Sequence, residues 1–370
     1  MKNRNPFILI GYQGPELFCD RERETAKLVS WIENGSNVTL MAPRRYGKTG
    51  LIHNVFHHLP KTFKCIYLDI YATKTLADLT KILVANIVGS MDTTIEKTIS
   101  TMAKFFKNCR PSVVPQEDGM PKFSFDVVQA EAEATLKDAF DYLKTQEGEI
   151  VIAIDEFQQI LEYPEKGTEA LLRSFIQSVP HVRFIFAGSR HHIMGEMFAS
   201  VKHPFYNSTD MMSLGVIDES KYADFAANFF VSDNRPFKRE TFHALYQRFD
   251  GVTWFVQRVL NHMWAYGAGL DDEKAVDEAV AELVGDRALV FRDLFESQNE
   301  TAKRLLVAVG KTGVVAHPTS VEFLSSCNLS ASSVRSALSE LCELELMYKT
   351  EHGYIVYDRM FGEWLKTVFL

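Results

Sequence analysis

The chain has 370 residues, a length that usually corresponds to two or three domains, since one domain takes roughly 100–200 residues. Hydrophobic residues make up 46% of the sequence and charged residues 24%, an ordinary globular composition that excludes disorder, collagen and low-complexity fibres for most of the chain. The 48 acidic and 40 basic residues give a net charge of −8, which argues against a general polyanion binder and leaves only a local basic patch open.

Short apolar runs alternate with helical periodicity from residue 36 to about residue 214. Runs without polar alternation are typical of buried strands. They predict strands at residues 38–42, 63–69, 149–155, 182–187 and 211–214. Helices are predicted at residues 20–34 with Asp20 as the N-cap, from the Gly-Lys-Thr segment to His58, at 75–88, 127–146 and 168–179, and from Arg190 onward. Such alternation predicts an α/β fold with a parallel sheet and helices on both faces.

Two other regions depart from this alternation. Residues 91–126 are irregular and contain two apolar runs around a hairpin turn at Glu117–Gly119, so we interpret them as an insertion. After Asp218 the pattern is helical, with helices predicted at 218–232, 238–249, 253–267 and 272–297. From residue 299, three helices (299–310, 318–326 and 330–344) precede two strands (345–350 and 353–357) joined by His352-Gly353, an order that predicts a winged helix. We therefore divide the chain into an α/β domain (1–216), a helical domain (217–298) and a winged-helix-like domain (299–370).

The cysteines and the apolar runs also indicate a compartment. The five cysteines are scattered and no two have C-x-x-C spacing, so we expect neither a disulfide framework nor a zinc site. A reducing, cytoplasmic compartment fits this usage. No stretch approaches the roughly 18 apolar residues of a membrane span, so we expect no membrane association.

The first apolar strand is followed by a phosphate-binding sequence. Residues 42–49 read Ala-Pro-Arg-Arg-Tyr-Gly-Lys-Thr, which fits the P-loop pattern G-x-x-x-x-G-K-[ST] except that Ala42 replaces the first glycine. In this motif main-chain N–H groups point at phosphate, Gly47 allows close approach, Lys48 neutralises the β- and γ-phosphates and Thr49 offers a hydroxyl to Mg²⁺. The candidate nucleotide-binding residues are Pro43, Arg44, Arg45, Tyr46, Gly47, Lys48, Thr49 and Gly50. We expect a negative φ at Ala42, where a methyl group costs little; the alternative is a chance match before a helix.

A second strand ends in two carboxylates. Five apolar residues at 150–154 precede Asp155 and Glu156. An acid at such a strand end can hold Mg²⁺, and the next acid, which points to the other side, can orient or deprotonate the attacking water. The alternative is that Glu156 only marks the start of a helix. Asp69 ends another apolar run and is better explained as a cap for the turn that follows.

Ser189 and several arginines complete the set of candidates. Ser189 follows the strand at 182–187, where its hydroxyl could reach the γ-phosphate or the water, or could cap the helix from Arg190; the two roles are compatible. Nucleotide hydrolysis is usually accelerated by an arginine that reaches the γ-phosphate. The candidates are Arg44, Arg45, Arg173 and Arg190. None stands out, so we expect slow, switch-like turnover.

The segments APRRYGKTGLI, IVIAIDEF and FIFAGS together resemble the Walker A, Walker B and sensor regions of AAA+/STAND P-loop ATPases, and most of all an archaeal-ATPase-like clade with Pro-Arg-Arg in its P-loop. The upstream segment Phe18-Cys-Asp-Arg21-Glu22 is similar to that group's adenine-side box, with Asp20 where glycine is usual, so the resemblance implies nucleotide contacts for Arg21 and Glu22. The segment around Gly251 is similar to the Gly-x-Pro box of the helical lid, with Thr253 in place of proline.

This resemblance covers roughly residues 16–300 and carries expectations about structure and ligands. It implies that the P-loop strand lies beside the strand that leads to Ser189 and that the acidic strand comes next outward. It also implies ATP and ADP as ligands with Mg²⁺, and closure of the sheet domain against the helical lid. The preference for adenine over guanine follows from the resemblance alone.

The winged helix leaves two roles open. Its third helix, 330–343, carries Arg335 against Glu340 and Glu343, which makes it a weak reader of DNA because phosphate contacts dominate DNA affinity. We therefore favour contact with a protein and keep DNA as the alternative. The main hypothesis is an ATP-binding, slowly hydrolysing switch. A nucleotide-binding regulator or scaffold without turnover is the alternative, and the oligomeric state stays open.

Overall fold

The computed structural model describes residues 4–91, 100–101, 104–106, 109–114 and 122–369. The chain forms two compact units. One spans Ile10–Asp218, and the other joins the N-terminal segment up to Leu9 with the chain from Glu219 onward. In the described residues, no helix combines the length and the apolar character needed to cross a membrane.

The Ile10–Asp218 unit is built on a five-stranded parallel sheet. Its described strands, with the insertion hairpin β3 and β4 in chain order, are β1 (Val38–Met41), β2 (Lys64–Asp69), β3 (Cys109–Val114), β4 (Lys122–Val127), β5 (Ile150–Asp155), β6 (Val182–Gly188) and β7 (Asp210–Ser213). The sheet order is β2-β5-β6-β1-β7. The P-loop strand β1 pairs with β6, and β5 is next outward, so the order that the resemblance implied is confirmed.

Helices cover both faces of this sheet. They are α1 (Glu22–Glu33), α2 (Lys48–His58), α3 (Leu76–Met91), α4 (Ala132–Lys144), α5 (Thr168–Gln177) and α6 (His191–Ala199), with 3-10 helices at Pro15–Leu17, Gln129–Glu131 and Phe157–Glu162. Strand β5 is buried along its whole length. Its Ile152 and Ile154 belong to one hydrophobic core and its Val151 and Ala153 to another. Because side chains alternate along a strand, a strand apolar at every position contributes to two cores, and the predicted α/β fold is confirmed.

One local prediction in this unit is wrong, and another holds only in part. Asp20 does not cap α1, because the N-cap position is Arg21 and no side chain caps the helix; both residues have positive φ, 56° and 73°. The strand predicted at 63–69 is present as β2, with Ile66 and Leu68 buried, but it lies at the edge of the sheet, and Lys64 and Asp69 at its ends are exposed. An apolar run by itself does not distinguish a central strand from an edge strand that helices cover.

The insertion contains the predicted hairpin. Strands β3 and β4 are antiparallel, with Cys109 opposite Val127 and Val114 opposite Lys122. The predicted turn at Glu117–Gly119 lies outside the described residues. The end of β4 is held to α3 by an ion pair between Lys81 Nζ and Asp126 Oδ1 at 3.0 Å.

The second unit is helical and ends in the predicted helix and strand order. Its described helices are α7 (Glu219–Ser232), α8 (Arg239–Arg248), α9 (Thr253–Ala265), α10 (Glu273–Gly285), α11 (Ala288–Glu296), α12 (Glu300–Thr312), α13 (Val321–Cys327), α14 (Ala331–Glu343) and α15 (Arg359–Val368). The hairpin β8 (Met347–Lys349) and β9 (Tyr354–Val356) follows α14. The single helix predicted at 272–297 is wrong, since Asp286 and Arg287 separate α10 from α11.

The N-terminal segment packs in this helical unit. Phe7 is fully buried, and its ring lies 5.5 Å from that of Phe230 and 5.8 Å from that of Trp264. The Asn5 amide donates to the Asn261 carbonyl at 2.8 Å, and the Asn261 amide donates back to the Phe7 carbonyl at 2.7 Å. The sequence pattern predicted that these residues belong to the α/β domain. The division of the chain into domains at 1–216, 217–298 and 299–370 remains a proposal.

Candidate functional site

The loop between β1 and α2 has the backbone of an anion-binding turn. Gly47 has a φ of 87° and is the N-cap of α2, and no side chain caps this helix start. Arg45 also has a positive φ of 73°, whereas Ala42 is not among the positive-φ residues, as predicted. A Cβ added at Gly47 would meet no atom within 4 Å, so glycine is favoured here by its positive φ and not by crowding. The uncapped N–H groups at the start of α2 are therefore available to phosphate oxygens.

Gly50, one turn further on, lies close to the segment that precedes α1. A Cβ added at Gly50 would lie 3.1 Å from the ring of Phe18. The ring of Phe18 lies 5.7 Å from that of Tyr12, whose hydroxyl donates to Asn54 Oδ1 at 2.8 Å. The segment before α1 thus lies against the P-loop helix, beside the residues that begin it.

Arg21 and Glu22 differ in burial. Arg21 is 4% exposed and donates to Glu24 Oε1 at 2.9 Å and to the carbonyl of Gly215. Its guanidinium therefore ties the start of α1 to the chain that follows β7. Glu22 is exposed. Their nucleotide contacts stay predictions.

Asp155, at the end of β5, accepts four hydrogen bonds or ion-pair contacts. Its Oδ1 lies 2.6 Å from Lys48 Nζ and accepts from the Glu156 main-chain N–H at 2.9 Å. Its Oδ2 accepts from the Thr49 hydroxyl at 2.9 Å and the Tyr67 hydroxyl at 2.8 Å. Burial alone would raise the pKa of Asp155, but the charge of Lys48 and these hydrogen bonds outweigh it and hold the pKa below its usual range. Asp155 is therefore a carboxylate at neutral pH.

Glu156, the second acid, contacts the same lysine and accepts hydrogen bonds from two further side chains. Its φ is 57°, an uncommon backbone conformation for a residue with a side chain. Its Oε1 lies 3.1 Å from Lys48 Nζ, and its Oε2 accepts from the Ser189 hydroxyl at 2.6 Å and the Gln158 amide at 2.5 Å. Burial raises the pKa of Glu156, and Lys48 with these donors lowers it further than burial raises it. A 3-10 helix does start directly after Glu156, which occupies its N-cap position, but the Glu156 side chain makes no capping bond to it and contacts Lys48, Ser189 and Gln158 instead.

Ser189 reaches the acid pair from the end of β6. Its hydroxyl donates to Glu156, whereas the N-cap position of α6 is Arg190 and no side chain caps that helix. The capping alternative for Ser189 is therefore wrong. Asp69, in contrast, accepts from the Tyr71 main-chain N–H at 2.9 Å, so its predicted capping role is confirmed.

The donor set suits a magnesium–phosphate ligand. Lys48 is 7% exposed, and its single positive charge faces two carboxylates. A hydroxyl and a carboxylate within 2.9 Å of each other, at Thr49 and Asp155, are the oxygen ligands that Mg²⁺ takes from a protein while it keeps water and phosphate oxygens. The residues present thus fit a magnesium ion bound together with a nucleotide.

Three side chains near this site were not predicted. The burial of Tyr67 raises the pKa of its hydroxyl, and the charge of Asp155 raises it further, so it stays a donor. The ring of His53 lies 4.9 Å from that of Tyr67, and burial lowers its pKa. Gln158 lies only two residues after Glu156, so its closeness to the acid pair could have been predicted from the sequence. No local sequence pattern connects Tyr67 or His53 with the site.

The candidate arginines lie in different surroundings. The guanidinium of Arg44 lies 5.1 Å from the centre of the Tyr71 ring. Arg190 pairs with Glu162 Oε1 at 3.1 Å, and Arg173 lies on α5. An arginine finger stays a prediction without an assigned residue.

Known families and solved structures show similarity over nearly the whole chain. Residues 18–259 match the model of an ATPase domain predominantly from Archaea, and residues 289–367 match a probable winged helix domain. No curated protein matches the sequence.

Among solved structures, the Walker-type ATPase PABY2304 of Pyrococcus abyssi is similar with a TM-score of 0.65 at 18% identity, over 98% of this chain and 99% of that one. The Aeropyrum pernix ORC2 protein, solved in ADPNP–ADP complexes, has a TM-score of 0.55 at 15% identity, over 99% and 97%. The Aeropyrum pernix ORC1 protein in complex with DNA has a TM-score of 0.53 at 14% identity, over 99% and 97%. At these identities the likeness shows the fold alone.

Proposed function

The chain belongs to the family of ATPase domains found predominantly in archaea and carries a winged helix domain, and from this premise we propose that it is a nucleotide-dependent switch that hydrolyses ATP slowly. The resemblance predicted from the sequence is thereby confirmed at the level of family and fold, and an ATP-binding ATPase is the corresponding general activity. The observation that carries the specific proposal is the convergence of Lys48, Thr49, Asp155, Glu156 and Ser189 at the carboxyl edge of the sheet.

In this proposal the P-loop binds the phosphates of ATP. Main-chain N–H groups of residues 44–50 donate to phosphate oxygens, and the long, flexible side chain of Lys48 turns from the two carboxylates to the β- and γ-phosphates. Thr49 and Asp155 would hold Mg²⁺, which when bound neutralises phosphate charge. Tyr67 keeps Asp155 oriented, because its hydroxyl donates to the same oxygen as Thr49.

Glu156 is the proposed base for the attacking water. The water oxygen forms a bond to the γ-phosphorus, the bond to the bridging oxygen breaks, and ADP leaves, while Glu156 accepts the proton of the water. The Ser189 hydroxyl, which donates to Glu156 Oε2 at 2.6 Å, would orient either the water or a γ-phosphate oxygen.

The contacts of Glu156 support low turnover. Its two oxygens interact with Lys48, Ser189 and Gln158, and these contacts keep its pKa low. A carboxylate stabilised in this way is a weak base, so hydrolysis requires that some of these contacts be exchanged first. This requirement is what a switch needs, since ATP then persists long enough to hold one conformation.

A regulator without significant turnover is the second candidate. The exposed side of α14 carries serines and Arg335 beside the acidic Glu340 and Glu343, which favours a protein partner over duplex DNA. Binding of the isolated nucleotide without phosphate release, together with salt-insensitive capture of a protein, would favour this candidate. A mobility shift of duplex DNA that weakens steeply with salt would favour its DNA-binding form.

Calorimetry and a phosphate-release assay test the proposal. ATP and ADP with Mg²⁺ should bind more tightly than GTP, and a ligand at 100 times its Kd should stabilise the protein by about 2.7 kcal/mol. Lys48→Ala should weaken ATP binding by about 100-fold or more, because the removed amine is the cation proposed to face the β- and γ-phosphates. Lys61→Ala, at an exposed lysine of the same unit, is the matched control. Unchanged ATP binding in Lys48→Ala would refute the assigned role.

A further inference from the structure

Gln158 has a buried side-chain amide in which the nitrogen is hydrogen-bonded and the oxygen is not. It lies in the 3-10 helix Phe157–Glu162 directly after β5 and is 6% exposed. Its amide nitrogen donates to Glu156 Oε2 at 2.5 Å, whereas its own Oε1 is buried and has no hydrogen-bond partner among the described residues. An apolar side chain would avoid the cost of that unpaired oxygen, so the amide at this position is explained by its donation to Glu156.

The packing around Gln158 fixes this orientation. A Cβ at Gly188 would overlap with Gln158 Oε1 and with the side chain of Met194, so the amide lies directly against the glycine backbone at the end of β6. Rotating the amide by half a turn would place its oxygen against the Glu156 carboxylate, which is repulsive. Gln158 therefore has one orientation, with its donor towards Glu156.

The three partners of Glu156 differ in their freedom to leave it. Lys48 and Ser189 carry groups that also suit phosphate oxygens, a cation at 3.1 Å from Oε1 and a hydroxyl at 2.6 Å from Oε2. Gln158 is confined by Gly188, and its donor has no other described acceptor. When ATP attracts the first two, Gln158 stays.

We propose that Gln158 is a positioning residue that holds Glu156 through Oε2 and so directs Oε1 to the attacking water. This inference rests on the proposed role of Glu156 as the base. It predicts that Gln158 acts on the hydrolytic step and leaves nucleotide affinity unchanged.

The test is Gln158→Met, which has the same length and no donor, with Gln158→Leu as a second apolar variant. The single-turnover rate of hydrolysis and kcat should fall about tenfold in both variants. The KM for ATP and the Kd of ADP should stay within about twofold of the wild type, and the melting temperature should not change. Gln159→Met is the matched control, because its amide lies in the same 3-10 helix but donates to the Thr73 carbonyl at 3.1 Å. It should retain the wild-type kcat.

Glu156→Gln, measured in parallel, separates the two levels of the proposal. If Glu156→Gln abolishes turnover and Gln158→Met keeps the wild-type kcat, the positioning role is wrong and the proposed function stands. If both apolar variants raise KM or weaken ADP binding as much as they lower kcat, Gln158 supports the fold of the site and the positioning role is wrong. If Glu156→Gln keeps its turnover, Glu156 is not the base and both proposals fall.

Discussion

Two clusters of charged side chains, one in each unit of the molecule, differ in how they are organised. The site cluster consists of Lys48, Asp155 and Glu156, in which one amine faces two carboxylates at 2.6 and 3.1 Å. The helical cluster pairs arginines with acids. Arg248 lies 2.7 Å from Glu363 and 2.5 Å from Asp277, and Arg359 Nε lies 2.9 Å from Asp250.

The two clusters differ in the groups that balance their negative charge. In the helical cluster the three cations Arg248, Arg359 and Lys366 match the three acids Glu363, Asp277 and Asp250, and most of the contacts join the last described helix, α15, to α8 and to the turn after it. In the site cluster the surplus negative charge is stabilised by four hydroxyl and amide donors of the same unit, those of Thr49, Tyr67, Gln158 and Ser189. The Lys48 amine and the Ser189 hydroxyl can move from Glu156 to the oxygens of a ligand at little cost, whereas breaking an ion pair of the helical cluster leaves the buried Glu363 or Arg359 without that partner. The helical cluster is therefore built for stability and the site cluster for exchange.

The largest expected effect belongs to the site cluster. Glu156→Gln removes the proposed base without changing the size of the side chain, so phosphate release should fall by about 100-fold or more while ATP still binds. The measurement is steady-state phosphate release together with calorimetric titration of ATP. Glu162→Gln is the control, since Glu162 lies in the adjacent 3-10 helix and pairs with Arg190 at the surface. If Glu156→Gln keeps the wild-type turnover, the site cluster does not carry the proposed catalytic role.

The helical cluster should respond in stability alone. Arg248→Met leaves Glu363, which is 9% exposed in its side chain, with Lys366 as its remaining ion-pair partner. Because Arg248 is itself 27% exposed, we expect a loss of about 2 kcal/mol in the free energy of unfolding, below that of a fully buried pair. Urea titration followed by tryptophan fluorescence measures it, since three of the 4 tryptophans, Trp254, Trp264 and Trp364, lie in this unit.

Arg239→Met is the matched control in the same unit, because Arg239 pairs with Asp224 where both are more than half exposed. This change should cost less than about 1 kcal/mol. Nucleotide affinity should be unchanged in both arginine variants. If Arg248→Met weakens ATP binding, the two clusters are coupled and the contrast between them is wrong.

The smallest expected effect concerns the Tyr67 hydroxyl, which orients Asp155. Tyr67→Phe removes one hydroxyl from Asp155 Oδ2, a loss of about 1 kcal/mol, so the Mg²⁺ concentration for half-maximal phosphate release should rise about fivefold. Binding of ATP without Mg²⁺ should not change. Tyr163→Phe, whose hydroxyl contacts Thr73 elsewhere in the unit, is the control. If the Mg²⁺ concentration for half-maximal phosphate release rises equally in both variants, the effect comes from altered packing and not from the hydrogen bond to Asp155.

The chemistry of the site could be predicted from the sequence because each motif is local. The P-loop requires a turn between a strand and a helix within residues 42–49, and Asp155 with Glu156 follows its own strand directly. Parallel strands present their carboxyl ends at one edge, so the motifs meet there once the strand order is known. The order itself came from the resemblance, since no single strand encodes its neighbours.

Errors arose where an identical local pattern serves two environments. Asp20 precedes α1 as an N-cap would, but positive φ values at Asp20 and Arg21 turn the chain away, and Arg21 is buried against the Gly215 carbonyl. The run at 63–69 has the composition of a central strand, but helix packing covers it at the sheet edge. Both outcomes depend on partners distant in the sequence.

The sequence by itself determined which groups can touch a phosphate and which strands carry them, because those requirements are met within a few consecutive residues. The tertiary structure alone decided which side chains orient those groups. Tyr67 reaches Asp155 from 88 residues away, and Gln158 is confined by Gly188 on a different strand. It also decided that Phe7 packs beside Trp264 in the helical unit. Long-range contacts of this kind depend on the geometry of the whole fold, which no local pattern of residues specifies.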